Sequence, residues 1–456
     1  MHSRDRALWV LAVILSLALL MAPALWNGFP LLQWDTGGYL ARWYEGFLVV
    51  SRAAPYGLML TAAAPLAFWP VVALQAGLTI WVLALVLRTH GFTNRPLLLL
   101  GVIAALSLLT TLPWLTSILL TDIYCGLAVL GLYLLLLRGD SLTRGERAGL
   151  ILTIALGTSM HSATFAVIAA LIVPAAIFWR LAPKRLPSRR LWQSALALAL
   201  GAALVFAGNY VVAKRLAWTP GGIPLSFGRM LQSGIVKKYL DAHCPDPRLK
   251  LCAYKDELPQ DADAWFWASP IFDKLGRFAG MDDEMERIAL GCLAEYPWLQ
   301  VKSAFDDTLR QLLAVHTGEG VLNVLWHTYG IIERFTPDLA PAMHAARQQR
   351  GEISFATINT VHYPLALVAM ALLPLIALLA YLEWLPLGLG ELAASCALAL
   401  LANAFVCGVL ANPHDRYGAR MVWLAAFAVA LAGVRLIERV FARTRPRASS
   451  PEPLFY

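Results

Sequence analysis

This sequence predicts an all-α, polytopic membrane protein, and three observations carry that prediction. Hydrophobic residues make up 59% of the 456-residue chain and charged residues only 14%, with a mean hydropathy of +0.62, more apolar than a soluble globular chain. Apolar runs long enough to be membrane spans recur from one end to the other, about ten in all. Basic residues gather in alternate linkers between those runs, the charge pattern of cytoplasmic loops.

The first run, about Ala7–Leu25, follows Arg4 and Arg6 in the layout of a signal sequence, but it is long for one. The small-x-small site nearby, Ala22-Pro23-Ala24, has proline at its centre, so an uncleaved anchor is expected. Further runs follow at about Val71–Leu87, Pro96–Trp114, Asp122–Leu137, Gly149–Thr158, Ala163–Trp179, Trp192–Val212, Tyr363–Leu382, Leu392–Ala411 and Met421–Leu436. The two short runs around His161 read as a hairpin, because the linkers Arg138–Arg147 and Arg180–Arg190 are both basic and an even number of crossings must separate them. Its bend, Ser159-Met160-His161-Ser162, then approaches the outer face. The alternative, one broken helix, would reverse the sidedness of everything after it.

Between Lys214 and Glu352 lie 16 of the 37 Lys/Arg and 18 of the 29 Asp/Glu, so 21 basic residues remain elsewhere. Of these, Arg42, Arg52, Arg416 and Arg420 fall outside, and the net charge of +8 is a positive-inside signal that carries no argument for nucleic acid. The expected organisation is an N-terminal transmembrane domain (1–212), an outer segment (213–362), C-terminal transmembrane helices (363–438) and a basic cytoplasmic tail (439–456), disordered and lipid-facing. Both termini are cytoplasmic.

In the outer segment, Cys244 and Cys252 flank a Pro/Asp loop and can close a small disulfide ring in an oxidising compartment; two free thiols are the alternative. Met281, Met285, Ile288 and Cys292 recur at helical spacing, and after Pro297 so do Phe305, Leu309 and Leu312; both sets are expected to be core faces. The aromatics Trp265, Phe266, Trp267, Trp298 and Trp326 are expected to pack onto the membrane part, stacking on sugar rings being the alternative.

Charged residues at the outer span ends carry the chemistry. Asp35, in Trp34-Asp35-Thr36-Gly37-Gly38-Tyr39, lies just beyond the first run. Asp122 opens the fourth span, where a carboxylate is costly unless paired or capping the helix. His161 stands at the top of the hairpin, and Arg416-Tyr417 sits in the short loop before the last span. Four outer loops thus present Asp, Asp, His and Arg at one membrane level.

An acid after the first span, Pro55-Tyr56 after it, a second acid between spans three and four, and Arg-Tyr before the final span together resemble the C-type membrane glycosyltransferase superfamily, GT-C. Its members include polyprenyl-phosphate-dependent mannosyl- and aminoarabinosyltransferases. The resemblance is best over residues 28–180 and 405–440. Leu112-Pro113-Trp114, His243-Cys244-Pro245 and Asp415-Arg416-Tyr417 also resemble a group of bacterial inner-membrane proteins.

The resemblance implies an inverting transfer of a sugar from a polyprenyl-phosphate donor to a glycan, lipid or protein acceptor at the periplasmic face of the inner membrane. Asp35 and Asp122 would be catalytic, with Arg416, Tyr417, His161, Tyr39 and Arg229 on the donor phosphate or substrate. A divalent cation (Mg2+ or Mn2+), if used, would fall to Asp35, Asp122 and His161, although no second acid adjoins Asp35 as in the family's paired-acid sites. The absence of a phosphate-cradling G-x-x-x-x-G-K-[ST] loop fits a lipid-borne donor better than a nucleotide sugar. Two other classes compete: a lipid or polysaccharide transporter or flippase, and a noncatalytic subunit of an envelope glycan assembly.

Overall fold

A computed structural model describes residues 3–181 and 186–444, without the side chains of the first two and last three of these. The tail expected to be disordered lies outside the described residues from 445 onward, as does part of the basic linker, 182–185. Among the described residues the protein is helical, with two isolated β-bridges and no strand.

The first half contains α1 (Ser3–Asn27), the short α2 (Thr36–Glu45) and α3 (Ala54–Ala63), then α4 (Trp69–Thr89), α5 (Pro96–Leu109), the single-turn α6 (Leu112–Ser117), α7 (Ile123–Leu137), α8 (Arg144–Met160), α9 (Ser162–Leu181) and α10 (Ser188–Ala213). The segment between α10 and the last long helices is built from α11 (Gly222–Gln232), α12 (Ile235–His243), α13 (Ala262–Ala268), α14 (Pro270–Lys274), α15 (Arg277–Glu295), α16 (Pro297–Leu313), α17 (Trp326–Phe335) and α18 (Ala340–His344). The chain then closes with α19 (Phe355–Tyr381), α20 (Leu387–Leu410) and α21 (Asp415–Thr444).

Seven helices are long and apolar enough to cross a membrane: Asp5–Asn27 of α1, α4, α9, α10, α19, α20 and Asp415–Phe441 of α21. The expected ten are not reached on length. Helices α5, with 14 residues, and α7, with 15, are apolar but would span only about 21–23 Å against a hydrocarbon core of roughly 30 Å. Helix α8 has 17 residues and begins with Arg144, Glu146 and Arg147.

The run expected to continue to Trp114 instead breaks at Thr110. That residue turns extended, its hydroxyl satisfies the Leu106 carbonyl at 2.6 Å, and Pro113 admits only a fresh helical start. The freed loop is captured. Leu31 donates to the Ser117 carbonyl (3.0 Å) and accepts from Leu119 (2.9 Å), and Gln75, buried within apolar α4, donates to the Thr116 and Ile118 carbonyls at 3.0 Å each. Backbone groups freed by a broken helix inside an apolar bundle need such partners. The result is that the loops carrying Asp35 and Asp122 are bound to each other.

Helix α7 is buried on nearly all sides and is the axis of the bundle, whereas α10 and α19 leave most of their apolar surface open, as lipid-facing helices do. The segment after α10 has a core of its own, in which Phe227, Trp265 and Phe272 pack with Met281, Met285, Ile288 and Cys292. The first expected core face is therefore present. The second is not: Phe305 and Leu309 point outward, and Leu312 is only half-buried. Nor do the aromatics all pack onto the membrane part, since Trp265 and Phe266 fill the segment's own core and Trp267, Trp298 and Trp326 are exposed. Cys244 and Cys252 are joined, with Cα atoms 5.5 Å apart.

At the opposite end of the bundle the basic loops meet their own acids: Arg88 with Glu146 (2.7 Å), Arg138 with Glu391 (2.5 Å), Arg95 with Glu438 and Arg190 with Asp140. Charge is thus concentrated at the two ends of the apolar helices.

Candidate active site

The loop between α1 and α2 is tied down before it delivers Asp35. Gln348 is buried and grips both the amide (2.9 Å) and the carbonyl (2.7 Å) of Leu32, while its own amide donates to Asn27 Oδ1 at 2.7 Å. Thr36 reaches across to the Leu119 carbonyl (3.0 Å), and the Gly37 amide donates to Thr328 Oγ1 at 3.2 Å. Gly37 is required there because a Cβ would lie 2.7 Å from the Thr328 Cα. Asp35 stands at the start of α2 without capping it, since its own amide is turned to Gln33 Oε1 (2.8 Å) and its side chain faces the bundle.

There it meets arginines. Arg416 Nη1 donates to Asp35 Oδ2 at 2.6 Å and Arg416 Nε to Asp122 Oδ2 at 2.9 Å, so one guanidinium joins acids 87 positions apart in the chain. Arg52 pairs with the other Asp35 oxygen. Arg420, one turn after Arg416 on α21 and fully buried, lies 3.8 Å from Asp122 Oδ1, donates to Asn403 Oδ1 at 2.7 and 3.1 Å, and approaches His161 Nδ1 at 3.4 Å. Asp122 precedes α7 but caps nothing. Its Oδ1 is buried without a hydrogen-bond partner, and the buried Thr121 and Tyr39 hydroxyls have no partner beyond each other. Such atoms call for a ligand or water.

Three guanidinium groups face two carboxylates in a space where each side chain is at most 15% exposed, so the group carries a surplus positive charge. Burial alone would raise the Asp35 carboxyl, but Arg52 and Arg416 outweigh it and hold it at about 2. At His161 burial and the neighbouring Arg420 and Arg416 act together, keeping the imidazole neutral well below its ordinary range. Tyr39 is wholly buried, edge-on to Tyr56 with centroids 5.3 Å apart, and burial raises its phenol. The Tyr417 ring lies under both Arg416 and Arg420, 5.5 and 5.6 Å from their guanidinium carbons.

Arg416 and Tyr417, expected in a loop, lie in the first turn of α21, and the turn before that helix is held from the side by the segment between α10 and α19. His414 bonds Glu319 at 2.7 Å and Asp263 at 3.3 Å, and the second Glu319 oxygen accepts from the Arg416 amide at 2.6 Å. Burial opposes charge on His414, yet the two carboxylates raise it to about 10, and its bonds in turn keep Asp263 and Glu319 below the usual carboxylate range despite their own burial.

Asp35, Asp122, Arg416, Tyr417, His161 and Tyr39 are therefore neighbours, directly or through Arg416 and Arg420. Arg229 is not: its buried guanidinium is bound to Ser303 (2.8 Å) and Gln300 (2.6 Å) on α16, 3.8 Å from Asp307. It serves the inside of the outer segment. Arg52, Arg420, Glu319 and His414 were not singled out from sequence. Arg420 was findable, being four residues from Arg416 on one helix face; Arg52 carried no local signal.

Guanidinium groups occupy both oxygens of Asp35 and flank those of Asp122, and among the described residues no group of three His, Cys, Asp or Glu side chains is placed to hold a metal ion. Two cavities, of about 600 and 350 Å3, lie elsewhere, one between the α19–α20 turn and the C-terminal part of α21, the other between Gln232–Ile235 and α16. In comparisons with known proteins, the chain matches no family model, no curated protein and no solved structure.

Proposed function

We propose that this protein transfers a sugar from a polyprenyl-phosphate donor to an acceptor hydroxyl, in the manner of the GT-C glycosyltransferases, at the outer face of a bacterial inner membrane. One observation carries the reading: three arginines held against two aspartates, with net positive charge and unpartnered polar atoms, at one end of apolar helices. A lipid-borne phosphate is an anion that arrives at that level. In this reading α5, α7 and α8 are short crossings, which gives ten spans, cytoplasmic termini and a periplasmic site.

The donor phosphate takes over Arg416 and Arg52 through charge-assisted bonds. Asp35, weakly basic while both arginines hold it, thereby regains basicity. It accepts the proton of the acceptor hydroxyl as that oxygen bonds to the anomeric carbon, and the carbon–oxygen bond to phosphate breaks through an oxocarbenium-like transition state. The electron pair leaves on the polyprenyl phosphate, where the guanidinium groups stabilise it, and the anomeric configuration inverts. Asp122 keeps Arg416 and Arg420 in place, and Tyr39 and Thr121 offer hydroxyls to the sugar. No step requires a metal ion.

The test is transfer of radiolabelled sugar from synthetic polyprenyl-phosphate donors in proteoliposomes. Asp35→Asn is expected to lower turnover by on the order of 10²–10⁴ while leaving donor binding largely intact. Arg416→Ala is expected to weaken donor binding as well. An Asp35→Asn protein as active as the parent removes the mechanism.

A further inference from the structure

Helix α16 has its polar face inside and its apolar face outside. The side toward α20 and the turn before α21 buries Gln300, Asp307, Thr308 and Gln311; a Cβ on Gly408 would lie only 2.7 Å from the Asp307 carbonyl oxygen, and Gln311 holds the backbone of His414 at 2.8 and 2.9 Å. On the open side, Trp298, Val301, Phe305, Leu309 and Leu313 recur every three or four residues, with exposures of 46–76%. They form one stripe about 22 Å long. A contiguous apolar stripe of that length marks a surface meant to be covered.

The covering is set by where the helix sits. Its C-terminal end enters the bundle: a Cβ on Gly418 of α21 would lie 1.9 Å from the Ala314 carbonyl oxygen, and Val315 is buried with Ala366 of α19 and Val422 of α21. Val422 is about 10 Å along α21 from Asp415. The helix therefore ends below the rim of two helices that are long and apolar enough to cross a membrane. Helix α20, against which α16 packs, has its own open apolar face at Leu398, Leu401 and Phe405. Lys302 and Arg310, both exposed, follow Val301 and Leu309 at the edge of the stripe, on the side that lines the cavity shared with Gln232–Ile235, and Arg310 Nη1 lies 3.7 Å from Asp307 Oδ1; from such an edge long cationic side chains reach phosphate.

We propose that α16 is a membrane-embedded interfacial helix, its Trp298–Leu313 stripe covered by phospholipid acyl chains of the leaflet on the Asp35 side, with Lys302 and Arg310 at the head groups. The outer segment is thereby anchored by a lipid contact of its own, independent of any sugar-transfer chemistry. The polar face of the same helix carries Gln311, so lipid on one side and the turn before α21 on the other share one rigid element.

The test is collision accessibility of nitroxide spin labels on Phe305→Cys and, separately, Leu309→Cys, in the full chain in phosphatidylcholine–phosphatidylglycerol nanodiscs, with Lys237→Cys on α12 as the water-exposed reference. Oxygen is expected to exceed a neutral nickel chelate severalfold at 305 and 309, with the order reversed at 237. Nickel access at 305 and 309 equal to that at 237 would place the stripe in water and overturn the proposal. Protection from both reagents would overturn it too, by showing that a protein surface, a second copy or a partner, covers the stripe.

Discussion

Replacing Arg416 by Met should remove the centre of the charge group while keeping most of its volume. Two charge-assisted bonds are lost, at 2.6 Å to Asp35 and 2.9 Å to Asp122, each of the kind that contributes roughly 1.5–3 kcal/mol. Neither acid is stranded completely, because Arg52 remains on Asp35 and Arg420 remains 3.8 Å from Asp122. The expected cost is therefore about 3–5 kcal/mol, the range for opening a buried pair. An independent figure comes from Asp35: a carboxyl held at about 2 instead of 3.8 contributes roughly 2–3 kcal/mol near neutral pH, shared between Arg52 and Arg416.

The sign follows from the lowered value. That contribution is complete above pH 3.8 and disappears as the pH falls toward 2. In the Met variant the Asp35 carboxyl moves upward, so the deficit against the parent should be greatest near neutral pH and shrink on acidification. Thermal unfolding in nanodiscs between pH 2 and 8, in a cycle with Asp122→Asn, would read it, with an expected Arg416–Asp122 coupling of about 1–3 kcal/mol. Equal stability of parent and variant, or no coupling, would refute the charge group as described.

Three further outcomes follow from the same geometry. Reporter fusions after Gly222 and after Arg447 should report the outer and the cytoplasmic side respectively; the reverse assignment of both would undo the even number of crossings in the hairpin around His161, and the same side for both would undo the odd number of crossings that follows Gly222. His414, raised to about 10 by Asp263 and Glu319, should contribute stability that is complete below pH 6.5 and is lost as the pH rises through 10. Alkaline melting curves should therefore fall in the parent, while His414→Gln should start lower and stay flat. Gly418→Ala forces a Cβ to within 1.9 Å of the Ala314 carbonyl oxygen, so α21 must shift and the expected cost is about 1–3 kcal/mol or more; an unchanged melting temperature would show that α16 and α21 are not in such close contact.

The membrane class was legible because composition and run length decide it. Sidedness could be argued because lysine and arginine are so unevenly placed. Asp35, Asp122 and Arg416 could be singled out together because each lies at a span end, where a charge beside apolar surface needs a reason. What holds them was not legible. Gln348, Gln75 and Thr328 act through contacts up to 321 positions apart, and nothing local marks them. Sequence reading failed most clearly on α16. Phe305 and Leu309 have the spacing of a core face, but periodicity shows only that a face is apolar. It does not say whether protein or lipid lies against it.

The account turns on whether the arginines bind a lipid phosphate, and a density map of the protein in nanodiscs with added polyprenyl phosphate tests that most directly. The predicted result is a phosphate between Arg52 and Arg416, its tail leaving between the apolar helices, and the Asp35 carboxylate released from at least one guanidinium. A polyprenyl phosphate bound elsewhere, with Arg416 still joined to both Asp35 and Asp122, would contradict it.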